Sequence, residues 1–209
     1  HLLFKGTENR SGEDISRQIE RLGASIDAFT TEDHTAYQVK GPAEQLEPLL
    51  DVMVDMFQHP RFEPDDLENE RNVIHEEIAM VRDQPSQWLE DLTSAAAWPD
   101  HPLGRPITGT SESLDRIDRQ AVLDFYHSAY SASQTVITVA GRVEHAQVLD
   151  QLQRFLGDFG EITIVQITPV KELSNRCPDR LDLLDSFVQS DRFAREPSAR
   201  KEINAIGSC

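Results

Sequence analysis

The sequence predicts an α+β fold with an antiparallel or mixed sheet and helices packed over one face. Three observations carry this. Two neighbouring strand-like runs, "ASIDAFT" and "HTAYQVKG", flank a polar turn and pair locally as a hairpin. Several segments place apolar residues at helical spacing. Between the last two of these helical segments lies one further apolar run, "SQTVITVAGRV". Strands paired in a hairpin rather than alternating with helices exclude a purely parallel sheet.

The elements follow in order. "RSGEDISRQIERLG" is a helix: Ser11 caps it, Asp14 completes a capping box, and Ile15, Ile19 and Leu22 form one apolar face before Gly23. The hairpin comes next, turning at "TEDH". "PAEQLEPLLDVMVDMFQHP" is a helix with Leu46, Leu49, Leu50, Met53 and Phe57 inward, and Pro48 makes it start late or bend. "EPDDLENERNVIHEEIAMVRD" is a long helix with Pro64 in its first turn, and "PSQWLEDLTSAAAW" is another, closed by Pro99. "DHPLGRPITGTSES" is a loop, its path fixed by Gly and Pro. "SLDRIDRQAVLDFYHSAY" is helical, "SQTVITVAGRV" a buried strand and "EHAQVLDQLQRFLGDFG" a helix. Beyond Gly160 the pattern weakens. "EITIVQITPV" reads as one strand, "DRLDLLDSFVQ" as a short helix, and "SDRFAREPSARKEINAIGSC" as a tail poor in apolar residues. The organisation expected is a domain over 1–159 followed by a linker or tail over 160–209.

Composition narrows the function. The 209 residues carry 37 acids against 20 bases, a formal net charge of −17. That excludes the basic face that nucleic acids and anionic membranes require. It suits a cleft that attracts basic peptides. No apolar run approaches the roughly 20 residues of a membrane span. The two cysteines, Cys177 and Cys209, imply neither a disulfide framework nor a cysteine metal site. Scarce cysteine and an acidic balance suit a reducing cytoplasm, with a periplasm or an organelle matrix as the alternatives.

Two acids stand out. Along the helix from Asp65 to Arg82, Leu67, Ile74 and Val81 recur every seven residues with Ile78 beside them. The alternate positions of that seam are Glu70 and Glu77. A carboxylate turned inward needs a partner or a metal, and otherwise lies at the wet edge of the seam. His75 points elsewhere, and His34, His59, His101, His127 and His145 have no ligand spacing.

"HLLFKGT" at the start links these acids to a chemistry. The chain resembles the N-terminal half of a pitrilysin/insulinase-type zinc peptidase, the group that includes mitochondrial processing peptidases. That group carries an inverted zinc motif, H-x-x-E-H, followed by a stretch like "LFKGT". His1 matches the second histidine, and the chain is expected to be a fragment truncated inside the motif. Glu77, which lies 76 residues after His1, matches the family's distal glutamate ligand, and Glu70 the first acid of its E-x6-E. "GASIDAFTTEDHTAYQVKG", "RFEPDDLENERNVIHEEIAM", "HPLGRPITGTSESL" and the stretch from "DFYHSAY" to "VAGRV" resemble family segments in the family's order, over residues 1–158.

The resemblance implies a zinc metalloendopeptidase, with His1 and Glu77 as metal ligands and Glu70 supporting them. The general base falls before residue 1, so this fragment alone is expected to be inactive. It also implies a peptide substrate, paired as an added strand against Ile26, Asp27, Ala28 and Phe29, and a second similar half-domain or partner subunit. Asp27 stands where many relatives carry asparagine, so no side-chain contact is assigned to it. The alternatives are a non-catalytic subunit or scaffold of the same fold, or an acidic binding module without metal.

Overall fold

The computed structural model describes residues 1–159 and the strand 188–190. A 3₁₀ turn over Leu2–Lys5 opens the chain and leads through Gly6 to α1, Gly12–Arg21. Ser11 accepts from the Asp14 N–H while the Asp14 carboxylate accepts from the Ser11 N–H, the reciprocal cap the sequence predicts. The hairpin is β1, Ser25–Thr30, against β2, His34–Lys40, antiparallel with Ser25 opposite Lys40 and Thr30 opposite Thr35.

A short 3₁₀ turn, Ala43–Gln45, then precedes α2, Leu46–Gln58. Pro48 thus falls in the first turn, where its missing N–H costs nothing, and the helix starts late rather than bending. The five residues expected inward on α2 are buried, and so are Val52, Val54 and Met56. α3 runs Pro64–Asp83 with Pro64 in its first turn, and α4 Pro85–Ala97.

Three expectations change. The single helix expected over 113–130 is two: α5, Ser111–Leu114, and α6, Arg119–Ala129. Asp118 accepts from the Ala121 N–H and starts the second helix afresh. The long strand expected over 133–143 shortens to β3, Thr135–Val136. Its apolar run continues as buried Ile137 and Val139, because core burial, not ladder pairing, is what the hydropathy of this stretch encodes. The helix expected over 179–189 lies outside the described residues except for its last two, which belong to β4, Val188–Ser190. β4 sits between β2 and β3 and pairs antiparallel with both, so those residues meet backbone groups of two strands rather than a helical turn. The expected strand over 161–170 lies outside the described residues.

The sheet order is β1-β2-β4-β3, so β1 is an edge strand among the described strands. α7, His145–Leu156, packs beside α2. One core joins Ile15 and Ile19 of α1, the inner face of α2, Tyr37 and Val39 of β2, Ile137 and Val139, and Val148, Leu152 and Leu156 of α7. This is the α+β architecture of the sequence reading, with helices on the core face of an antiparallel sheet. No helix among the described residues is long and apolar enough to cross a membrane.

Candidate metal centre

The opening turn and α3 meet at Glu70. This residue is 4% exposed, in a helix whose other acids are exposed or half-buried. Each carboxylate oxygen has a cation or a ring facing it. Oε1 is hydrogen-bonded to His1 Nδ1, and Oε2 lies 2.7 Å from Lys5 Nζ. Burial pushes the Glu70 carboxyl up, but Lys5 and His1 outweigh it and hold the group below its ordinary value. An anionic Glu70 can only accept, so the proton of this contact sits on His1 Nδ1, and in the neutral ring the lone pair is then on Nε2.

Glu77 lies two turns further along α3, about 10 Å on and on the same side as Glu70. It is half-buried and has no hydrogen bond or ion pair among the described residues. The two acids expected inward therefore differ: Glu70 is fully enclosed and partnered, Glu77 sits at the rim. His75 turns the other way, its Nε2 2.8 Å from Asp115 Oδ1.

Imidazole nitrogen and carboxylate oxygen are the donors zinc takes in hydrolases, so the chemistry of His1 and Glu77 fits that metal. Among the described residues no group of three or more His, Cys, Asp or Glu side chains is arranged to hold a metal ion.

A second buried acid, which sequence reasoning missed, fixes the rest of the opening segment. Asp55 of α2 is 5% exposed and accepts from Thr7 Oγ1 at 2.7 Å, Asn9 Nδ2 at 2.6 Å and Arg10 Nη1 at 2.6 Å, with His59 Nδ1 at 3.2 Å. Burial raises its pKa, and these hydrogen bonds outweigh burial and lower it. The signal was present: an aspartate inside the apolar run "VMVDMF" needs a buried partner. The Phe4 ring lies tilted against that of Tyr37 of β2, 6.1 Å between centroids, joining the same segment to the hairpin.

Ile26, Asp27, Ala28 and Phe29 lie on β1. Ile26 and Ala28 pack against the core, while Asp27 and Phe29 are exposed. Among the described residues no hydrogen bond, ion pair or ring contact joins them to His1, Glu70 or Glu77.

The opening turn and the third helix of this α+β domain thus meet through one buried carboxylate, Glu70, hydrogen-bonded to His1. The comparisons name the family. The model for insulinase (peptidase family M16) matches residues 1–111, and that for the peptidase M16 inactive domain matches 116–183. The chain belongs to the insulinase family, peptidase family M16. It is 35% identical over 159 residues to the "Uncharacterized zinc protease YmxG" of Bacillus subtilis, covering 76% of this chain and 39% of that protein. It is 31% identical over 188 residues to mitochondrial cytochrome b-c1 complex subunit 1 of Mus musculus, covering 88% of this chain and 39% of that one. The solved peptidase M16 inactive domain from Pseudomonas fluorescens shares the fold, with a TM-score of 0.70 at 18% identity, over 80% of this chain and 41% of that one. The chain thus spans about two fifths of the length of these relatives.

Proposed function

We propose that this chain is the metal-contributing part of a zinc-dependent metalloendopeptidase. The observation that carries this is the buried Glu70, held by Lys5 and turned onto His1 Nδ1, which leaves Nε2 to ligate. Orienting a ligand imidazole through its second nitrogen is what metal sites require. Its likeness to a protein named as a zinc protease supports the metal.

When bound, zinc would polarise a peptide carbonyl and lower the pKa of its water. His1 and Glu77 would hold it, and Glu70 would fix the His1 ring. The edge of β1, which has no outer neighbour among the described strands, offers backbone groups to a peptide in extended form. A second similar half-domain or a partner subunit would close over that face.

The 209 residues contain no H-x-x-E-H run. The chain by itself is therefore expected to bind zinc weakly and to cleave no peptide, since loss of a general base alone removes about 10²–10⁴-fold in rate. Placing His-x-x-Glu before His1 should raise zinc affinity measured by competition with a chromophoric chelator, and Glu77→Gln should undo the gain. Tight stoichiometric zinc on the unaltered chain, indifferent to Glu77→Gln, would put the site elsewhere.

The likeness to a cytochrome b-c1 complex subunit favours a second reading, a non-catalytic subunit of the same fold. Under it, the extended protein would gain no chelator-sensitive peptidase activity.

A further inference from the structure

The edge strand β1 guards one of its own amides. Thr31 N–H donates to His34 C=O at 2.8 Å and closes the hairpin. Residues 31 and 34 are thus a hydrogen-bonded pair. Since such pairs alternate along an antiparallel ladder, the pairs Phe29–Ala36, Asp27–Gln38 and Ser25–Lys40 are bonded too. The N–H and C=O groups of Ile26, Ala28 and Thr30 consequently turn away from β2 to the open edge, where β1 has no neighbour among the described strands. The Ala28 N–H there already has an acceptor: Asp27 Oδ1, at 2.8 Å. Asp27 is exposed and forms no ion pair among the described residues.

We propose that Asp27 is a specificity-determining residue of this edge: its carboxylate occupies the Ala28 N–H in the free protein and, once displaced by an incoming peptide strand, selects peptides with a lysine or arginine opposite it. The inference rests on the reading that β1 takes an extended peptide. A strand added there must bring a carbonyl to the Ala28 N–H, which removes that hydrogen bond from Asp27. The released carboxylate then lies on the outer sheet face, with Phe29 two residues along. The peptide residue across from Asp27 projects its side chain onto that same face, about 4.5–5.5 Å away between Cβ atoms. A cation there meets an otherwise unpaired acid, a neutral side chain gains nothing, and an acidic one is repelled. The internal hydrogen bond weakens every peptide alike, and the charge returns part of that loss to basic ones alone. An edge protected by a charged residue also resists pairing with a second copy of itself.

The two roles separate by substitution. Asp27→Asn keeps an acceptor oxygen for Ala28 and loses the charge, whereas Asp27→Ala loses both. The probes are short capped Val/Thr-rich peptides carrying one central Lys, Gln or Glu, titrated into the 209-residue chain and followed by amide NMR.

With the native residue, the Lys peptide should bind about two- to fivefold more tightly than the Gln peptide. Both variants should abolish that preference. In Asp27→Ala alone, the Gln peptide should tighten about two- to tenfold, and the Ala28 amide of the free protein should exchange faster with water. A Lys preference that survives Asp27→Ala, or an Ala28 exchange rate that Asp27→Ala leaves alone, overturns the assignment. Peptides that shift the Ile26, Ala28 and Thr30 amides but bind alike whatever their charge sink the selectivity and leave strand addition standing. Peptides that shift none of these amides remove strand addition itself, and the selectivity with it.

Discussion

Replacing Asp55 with alanine should be the most damaging single change to the opening segment. Four side chains, from Thr7, Asn9, Arg10 and His59, direct a donor at this 5%-exposed carboxylate. Removing one partner of a buried ion pair costs about 3–5 kcal/mol, because the other charge is left uncompensated. The Arg10 side chain is only 16% exposed, but it retains Asp51, whose side chain is 46% exposed. Asn9 can turn to water. The loss should therefore lie at the lower end, about 3 kcal/mol, which lowers the Tm of a chain this size by about 6–12 °C. Asp51→Asn is the control: its partner keeps Asp55, and an exposed pair contributes less than about 1 kcal/mol. Urea and thermal melts followed by circular dichroism read both. An Asp55→Ala variant within about 1 kcal/mol of the native chain, or an Asp51→Asn variant as unstable as Asp55→Ala, would refute the claim that Asp55 is the hub.

Gly6→Ala should cost about 1–3 kcal/mol, measured by the same melts, because φ here is 137° and an added Cβ would meet the Arg10 carbonyl oxygen at 3.0 Å as well as the Arg61 side chain. Native-like stability of that variant would show that the turn after Lys5 relaxes freely. Acid should destabilise the fold through Glu70 and Asp55. Both carboxyls are held below their ordinary values, so their contribution is present above the unfolded pKa, about 4, and is lost as pH falls through the folded value. Glu70→Gln should flatten the stability profile between about pH 5 and pH 3, and an unchanged slope in denaturant titrations across that range would contradict the assignment.

Local signals in the sequence were strong where one residue type has one physical use. Ser11 and Asp14 predicted their cap, Pro64 the start of α3, and the β-branched runs around "TEDH" the hairpin. Hydropathy alone misled at 133–143, where Ile137 and Val139 are buried as the ladder ends, and at 113–130, where an apolar rhythm hid the cap at Asp118. Phe62, buried at φ 48°, has its carbonyl held by Arg119 Nε at 2.7 Å across a separation of 57 residues, and no local pattern encodes such a bend. The candidate site divides the same way. The seam of α3 marked Glu70 and Glu77, and the resemblance gave His1. Lys5 was invisible as a partner of Glu70, since a lysine after an apolar turn is ordinarily solvated.

The two buried acids explain why so short a segment can aim an imidazole. Residues 1–11 have one regular turn and few apolar side chains, and apolar contacts are in any case non-directional. Hydrophobic replacement of a buried ion pair often leaves stability intact, so Glu70 and Asp55 are weak arguments for stability as such. Their value is in direction. Asp55 fixes Thr7, Asn9 and Arg10 against α2. That sets the path of Gly6, whose C=O accepts from the Arg61 N–H at 3.3 Å, and so the place of Lys5. Lys5 in turn faces Glu70 on α3, and Glu70 faces His1. The ring is thus positioned relative to the helix that carries Glu77 through a chain of named atoms, each acid matched by a cation. An apolar core of equal stability would hold the segment in place but would leave the ring free to turn.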